Sequence, residues 1–189
     1  MFAFCAIDFE TTGSVPGFPD EPWQVGIVQM PESGDVSAAT PFESLLRVSA
    51  SRPFNRFAPG RHARIRESLA ASPSLREVWP RLGPALSGPV VAHNIGTERT
   101  LLRAAAPLHA PGPWIDTLRL SRVAWPTAPS HALEDLVPAL GLAPRLAAIC
   151  PGHAPHDALY DAWACALLLL FLLSSPTWGA RTPEELAAI

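Results

Sequence analysis

Hydrophobic and polar positions divide the first part of the chain into three predicted strands. Residues 2–9 are mostly apolar and end at Thr-Thr-Gly, which is typical of a buried strand that runs into a turn. Residues 23–30 and 42–49 alternate well enough to predict a second and a third strand. Turns that contain Pro and Gly separate the three segments, as expected for a meander.

The rest of the chain alternates between helices and short strands. A helix is predicted over residues 73–86, with Ser72 as its N-cap and Pro at its first position. Short strands are predicted over residues 89–94 and 113–116. Further helices are predicted over residues 97–106, 117–123, 131–140, 157–173 and a short C-terminal segment that opens with a capping box at residues 182–185. Because no linker divides the chain, we expect one α/β domain over residues 1–189 with a mixed sheet.

Composition narrows the class of protein. Of the 189 residues, 48% are hydrophobic, which is enough for one sizeable core, and the net charge of -3 gives no global attraction to nucleic acid or anionic lipid. The longest apolar run, residues 162–173, is shorter than the roughly 20 residues of a membrane span, so no membrane partner is expected. The three cysteines have no CxxC spacing, and the N-terminus lacks the basic segment of a signal peptide, which favours a cytoplasmic location.

Two carboxylates end the first predicted strand. Asp8 and Glu10 are two residues apart, so their side chains share one face, roughly 6–7 Å apart along the strand. Two such acids repel each other, and at least one is costly to bury. A divalent cation between them would remove that cost, whereas a solvated strand end would explain them without a metal.

A second polar group follows the predicted strand at residues 89–94. Asn94 ends that strand and Glu98 starts the next helix, at the kind of strand end where open α/β sheets bind ligands. Taken alone, Glu98 is better explained as an acid that favours the helix dipole, and His93 as a hydrogen-bonded structural histidine.

A third group precedes and begins the long apolar helix. His156 and Asp161 would point about 140° apart on a continuous helix. Pro155 instead places His156 in an extended segment, from which it can turn toward a cleft that Asp161 faces. Small side chains would let the helix approach the sheet closely and bring Asp161 near Asp8 and Glu10. These small residues are Ala158, Ala162 and Cys165. The alternative is a cluster that only caps the helix.

Together, the three groups resemble the DnaQ-like 3'–5' exonucleases of the DEDDh class, which include the proofreading epsilon subunit and RNase T. The first family motif reads DxETTG, and residues 8–13 read DFETTG. The second usually reads HNxxFD, and residues 93–98 read HNIGTE. The third reads HxAxxD, and residues 156–161 read HDALYD. The resemblance covers nearly the whole chain and implies a ribonuclease H-like fold, a five-stranded mixed sheet with helices on both faces.

The resemblance also implies a two-metal nuclease that releases nucleoside 5'-monophosphates from 3' ends. Asp8 would bridge two Mg²⁺ or Mn²⁺ ions, Glu10 and Asp161 would complete the shell, and Glu98 would lie at its outer edge. His156 would take a proton from the attacking water. The residues expected to contact the substrate are Thr11, Thr12, Asn94, His62, Arg61 and Arg64.

Glu98 departs from the family pattern, in which Asp is usual. The extra methylene could let the carboxylate replace a water and bind an ion directly, or it could crowd the site and lower activity. The other matched positions are intact, which favours an active enzyme over a weakened or inactive nucleic-acid-binding domain. The expected substrate is a single-stranded DNA end. Because nothing in the sequence reads the sugar 2'-hydroxyl, an RNA end or a short oligoribonucleotide is the alternative.

An arginine-rich stretch lies between Glu43 and Glu67. It holds six arginines and no acid, with Phe54 and Phe57 interleaved, in a chain that has no lysine. This pattern indicates either a local binding surface for a phosphate backbone, with bases stacked on the aromatic rings, or a solvated loop. No Gln-led clamp-binding peptide or polymerase-docking tail is recognisable, which argues for a stand-alone enzyme.

Overall fold

The computed structural model describes residues 1–58 and 62–189, and the side chains of all of these except residues 62–64. The described residues form one five-stranded sheet. Its strands are β1 (Phe4–Thr11), β2 (Pro22–Met30), β3 (Thr40–Leu45), β4 (Val90–Ala92) and β5 (Trp114–Asp116). Their spatial order is β3-β2-β1-β4-β5. The β3–β2 and β2–β1 pairs are antiparallel, and the β1–β4 and β4–β5 pairs are parallel. The predicted five-stranded mixed sheet is therefore confirmed.

Helices flank this sheet on both faces. They are α1 (His62–Ala71), α2 (Leu75–Ala85), α3 (Gly96–Ala105), α4 (Thr117–Ala124), α5 (Leu133–Ala139), α6 (Ala143–Ile149), α7 (Ala158–Leu173), α8 (Pro176–Gly179) and α9 (Pro183–Ala187), with a 3₁₀ turn at Val36–Ala38. Within the part of the chain that the structure describes, no helix has the length and apolar character needed to cross a membrane.

Strand β1 divides the core into two layers, because successive side chains point to opposite faces. Phe4 and Ala6 pack with α7 and its neighbours, whereas Cys5 packs on the other face with side chains of α2 and α3. Asp8 and Glu10 continue the series that contains Phe4 and Ala6. The two carboxylates therefore lie on the α7 face, at the C-terminal end of β1.

Helix α7 approaches the sheet closely at its first turn. The predicted small residues Ala158, Ala162 and Cys165 are fully buried. Gly26 of β2 completes the contact, since a Cβ at this position would lie 2.3 Å from the carbonyl of Ala158 and from the backbone nitrogen of Leu159. The start of α7 therefore rests directly on the backbone of β2.

The structure corrects the predicted start of α2. Ser74, rather than Ser72, is the N-cap, and it forms a capping box with Glu77. The hydroxyl of Ser72 instead donates to the carbonyl of Ser68 at 2.8 Å, at the end of α1. Both serines precede a helix-compatible sequence, but only Ser74 has an acid three residues later that can accept from the N-cap N–H.

Other boundaries also differ from the prediction. Strand β3 ends at Leu45, short of the predicted residue 49, because the backbone N–H of Arg47 donates to the carbonyl of Pro73 outside the sheet. Helices α1, α6 and α8 were not predicted. Both α6 and α8 have Pro in their first turn, which is a start signal that the prediction did not use, although neither helix has a side-chain cap hydrogen bond.

Candidate active site

Side chains from all three polar sequence groups meet at the C-terminal end of β1. Asp8 and Glu10 come from β1, Glu98 from the first turn of α3, and Asp161 from the first turn of α7. Asp8, Asp161 and His156 line a cavity of about 340 Å³. One carboxylate oxygen each from Glu10 and Asp161 and one ring nitrogen of His156 lie within 4.8 Å of one another.

Burial and mutual repulsion make these carboxylates hold protons more tightly than usual. Burial, followed by the charge of Asp161, raises the pKa of Asp8 well above its usual range and the pKa of Glu10 to about 8. Burial also raises the pKa of Glu98 to about 7 and the pKa of Asp161 to about 6. A cation bound beside such a cluster would lower these pKa values.

Glu98 shows most directly that the donor set suits a cation. Its side chain is 3% exposed, and its buried Oε2 atom has no hydrogen-bond partner among the described residues. The backbone N–H groups of Glu98 and Phe9 stabilise its charged form and lower its pKa, but the nearby charge of Asp116 raises it. Carboxylate oxygens are the ligands that Mg²⁺ and Mn²⁺ accept. The residues present therefore fit a divalent metal ion.

His156 is placed by its own backbone and by two carboxylates. Its φ of 64° is left-handed, not extended as predicted, and its N–H donates to Oδ2 of Asp161 at 3.0 Å. Its Nε2 atom lies 3.1 Å from Oε2 of Glu134 on α5. The positive φ is uncommon for a residue other than glycine. This left-handed backbone turns the ring of His156 toward the cavity, whereas the sequence predicted that an extended backbone after Pro155 would do so.

Gln24 is a site residue that sequence reasoning missed. It is buried opposite Glu10 in the β1–β2 pairing. Its amide nitrogen donates to Oδ1 of Asp157 at 3.1 Å, and its amide oxygen accepts from the N–H of Ala158 at 3.5 Å. Asp157 also caps α7 by accepting from the N–H of Leu159 at 3.3 Å. Gln24 thus ties the start of α7 to the strand beside Glu10, and an amide within an apolar strand was the available signal.

His93 and Asn94 take structural positions at the cavity wall. The ring nitrogens of His93 lie 3.0 Å from Oγ1 of Thr117 and 2.8 Å from the carbonyl oxygen of His131. Asn94 has a φ of 69°, and its N–H donates to Oδ1 of Asp116 at 2.9 Å. The exposed side chain of Asn94 lines the cavity. Its expected substrate contact stays a prediction, and Asp116 was not identified from the sequence.

The hydroxyls of Thr11 and Thr12 hold the turn that follows β1. Both donate to the carboxylate of Asp20 at 3.2 Å. Thr12 is fully buried, and its hydroxyl also accepts from the guanidinium of Arg52 and from the N–H of Glu21, each at 3.1 Å. Thr11 is partly exposed at the same turn. The expected contacts of this turn with a terminal nucleotide stay predictions.

Three arginines of the arginine-rich stretch bond to the protein itself. Arg52 is 3% exposed, and its guanidinium lies 3.4 Å from the carboxylate of Glu21. The Nε of Arg47 donates to the carbonyl of Ser72 at 2.9 Å. Arg66 donates to two backbone carbonyls. Arg52 therefore fits neither of the two interpretations of this stretch, because a buried guanidinium that is bonded to the protein neither binds a phosphate backbone nor belongs to a solvated loop.

The remaining predicted contacts of this stretch cannot be placed. Arg61 lies outside the described residues, as do the side chains of His62 and Arg64. Their roles stay predictions. Of the two interleaved aromatic residues, Phe54 packs against a small buried cluster, whereas Phe57 is 79% exposed. Phe57 is thus the one that presents its ring to solvent.

Comparison with known proteins shows which exonucleases this chain is similar to. The RNase T family model, described as an exonuclease, matches residues 5–169. A DNA polymerase III subunit epsilon-like protein of Rhodobacter capsulatus is 32% identical over 190 residues, which cover 98% of this chain but only 25% of that protein. Exodeoxyribonuclease 10 of Escherichia coli strain K12 is 31% identical over 187 residues, which cover 97% of this chain and 73% of that enzyme. Among solved structures, the nuclease domain of 3'hExo, a DEDDh family member bound to rAMP, has a TM-score of 0.72 and 15% identity, with 93% of this chain and 94% of that chain covered. The ribonuclease H-like fold is therefore confirmed.

Proposed function

Because this chain belongs to the RNase T family of exonucleases, we propose that it is a metal-dependent 3'–5' exonuclease with its catalytic domain spanning residues 1–189. Its substrate would be a single-stranded DNA end, and its product a nucleoside 5'-monophosphate. The observation that carries the proposal is the convergence of three carboxylates, Glu10, Glu98 and Asp161, on Asp8, where Asp8, Asp161 and His156 line one cavity. The similarity to exodeoxyribonuclease 10 supports DNA over RNA.

The carboxylates would hold one or two Mg²⁺ or Mn²⁺ ions. The proposed ligands are Asp8, Glu10, Glu98 and Asp161. When bound, such ions stabilise negative charge on a phosphodiester and on the oxygen that leaves it. The unpartnered Oε2 of Glu98 supports direct ligation by this residue rather than an outer position.

His156 would handle the proton of the attacking water. A neutral imidazole can accept a proton near neutral pH. The carboxylate of Glu134, 3.1 Å from Nε2, would stabilise the imidazolium that results. The carboxylate of Asp161 accepts a hydrogen bond from the backbone N–H of His156. This bond fixes the position of the proposed proton acceptor relative to a proposed metal ligand.

The proposal is tested with 5'-labelled single-stranded DNA and RNA in Mg²⁺, Mn²⁺ or EDTA. The natural protein should shorten DNA stepwise from the 3' end only when metal is present. Asp8→Asn should abolish hydrolysis, because it removes a proposed ligand, whereas Asp35→Asn makes the same change on the surface and should not. His156→Ala should lower the rate by roughly 10²–10⁴ and leave oligonucleotide binding nearly unchanged.

Two results would contradict this proposal. Near-full activity of Asp8→Asn would refute the metal assignment. A natural protein that hydrolyses no end with any metal, yet binds oligonucleotides, would favour an inactive binding domain. Faster hydrolysis of RNA than of DNA would reassign the substrate and keep the mechanism.

A further inference from the structure

Helix α3 carries two exposed arginines on successive turns. Arg99 and Arg103 are four residues apart, which places them on one face and about 6 Å apart along the axis. Neither guanidinium has an ion pair or a hydrogen bond with any side chain or backbone group that the structure describes. In this respect they differ from Arg47, Arg52 and Arg66, which are already bonded to the protein.

Both arginines line two adjacent cavities. The first, of about 460 Å³, is also bordered by Gly96 at the start of α3. The second, of about 370 Å³, is also bordered by His109 and Trp114. No acidic side chain is among the described residues that line either cavity, and none occurs in residues 99–115. The local charge is therefore positive on a chain whose net charge is -3.

The arginines lie on the same helix as one member of the carboxylate cluster. Glu98, in the first turn of α3, belongs to that cluster, and Arg99 is the next residue. A guanidinium presents a planar fork of donors that matches two phosphate oxygens. Aromatic rings beside such charges are the usual surroundings of a bound single strand.

We infer that Arg99 and Arg103 bind phosphodiester groups of the substrate strand on the 5' side of the nucleotide being removed. The inference rests on the proposed function and deepens it, because it assigns the path of the strand beyond the catalytic cavity. A strand of several nucleotides would reach both arginines, whereas a dinucleotide would end before them.

The test measures oligonucleotide binding in the inactive Asp8→Asn background over a range of salt concentrations. Arg99→Gln with Arg103→Gln is compared with Arg76→Gln and Arg145→Gln, exposed residues of α2 and α6 that line neither cavity. Both pairs remove two positive charges. The α3 pair should weaken binding of a long single strand and lower its log–log salt slope by about 1.4, at roughly 0.7 for each phosphate contact. Binding of a dinucleotide should not change.

Two outcomes would overturn the inference. A long-strand affinity and salt slope equal to those of the control pair would show that the arginines contact no phosphate. An equal loss for the dinucleotide would place them at the terminal nucleotide instead of along the strand. Absence of hydrolysis by the natural protein would count against the proposed function alone, because these binding measurements use an inactive background.

Discussion

Replacing Gly26 with alanine would push the start of α7 away from the sheet. The added methyl group would lie 2.3 Å from backbone atoms of Ala158 and Leu159, whereas ordinary contacts begin at 3.4 Å. Because these neighbours are backbone and not the end of a flexible side chain, the helix or the strand must move by about 1 Å. Gly26 pairs with Asp8 across the sheet, so the displacement falls at the centre of the site.

The expected effect is larger on turnover than on folding. Overpacking of this kind costs about 1–3 kcal/mol, which a domain with typical stability of about 5–15 kcal/mol survives at room temperature. The first turn of α7 carries Asp161 and holds His156. A misplacement of about 1 Å in catalytic groups can lower the rate about 10²-fold. Gly26→Ala should therefore be folded but slow.

The assay pairs turnover on 5'-labelled single-stranded DNA in Mn²⁺ with a urea unfolding curve. Gly88→Ala is the matched control, because a Cβ at Gly88 meets nothing within 4 Å. The control should keep both its turnover and its unfolding midpoint. If Gly26→Ala were destabilised yet turned over as fast as the natural protein, the close approach of α7 to β2 would not be what positions the site.

Two further predictions concern the carboxylates. Without metal, the free energy of unfolding should fall as pH rises from about 5 to 8. In the folded protein the pKa is about 6 for Asp161, about 7 for Glu98 and about 8 for Glu10, whereas the unfolded values are near 4. The folded protein therefore binds more protons than the unfolded chain in this range, and raising the pH favours unfolding. Urea unfolding in EDTA across this pH range checks this, and Asp8→Asn should flatten the dependence; stability that rises with pH would contradict it. If Glu98 ligates an ion directly, Glu98→Gln should be nearly as damaging as Asp8→Asn, whereas Glu98→Asp should keep activity, since a water can fill the gap. Hydrolysis rates of both variants in Mg²⁺ and Mn²⁺ check this, and a Glu98→Asp rate well above that of the natural protein would instead show that Glu98 crowds the site.

Local patterns predicted the strands of the sheet, and the three motifs that resemble the exonuclease family predicted which carboxylates meet at the end of β1. The period of two along β1 places Asp8 and Glu10 on one face, whatever the rest of the chain does. The short strands β4 and β5 each precede a helix, and this order predicts a strand end at which Asn94 and Glu98 lie. The small residues of α7 likewise predicted a close approach to the sheet. Each of these patterns depends only on residues that are close in the sequence and not on contacts with distant parts of the chain.

The contacts that hold these groups in place depend on how distant elements pack. The bond from Gln24 to Asp157 joins residues 133 positions apart, and the contact of Gly26 with Ala158 depends on the distance between β2 and α7. The pairing of His156 with Glu134 likewise depends on where α5 packs. No periodicity encodes these contacts, because each is set by the separation of two packed elements. The motifs thus predicted the carboxylates and His156, whereas packing set their distances, their burial, the raised pKa values that follow from burial, and the contacts with Gln24 and Glu134.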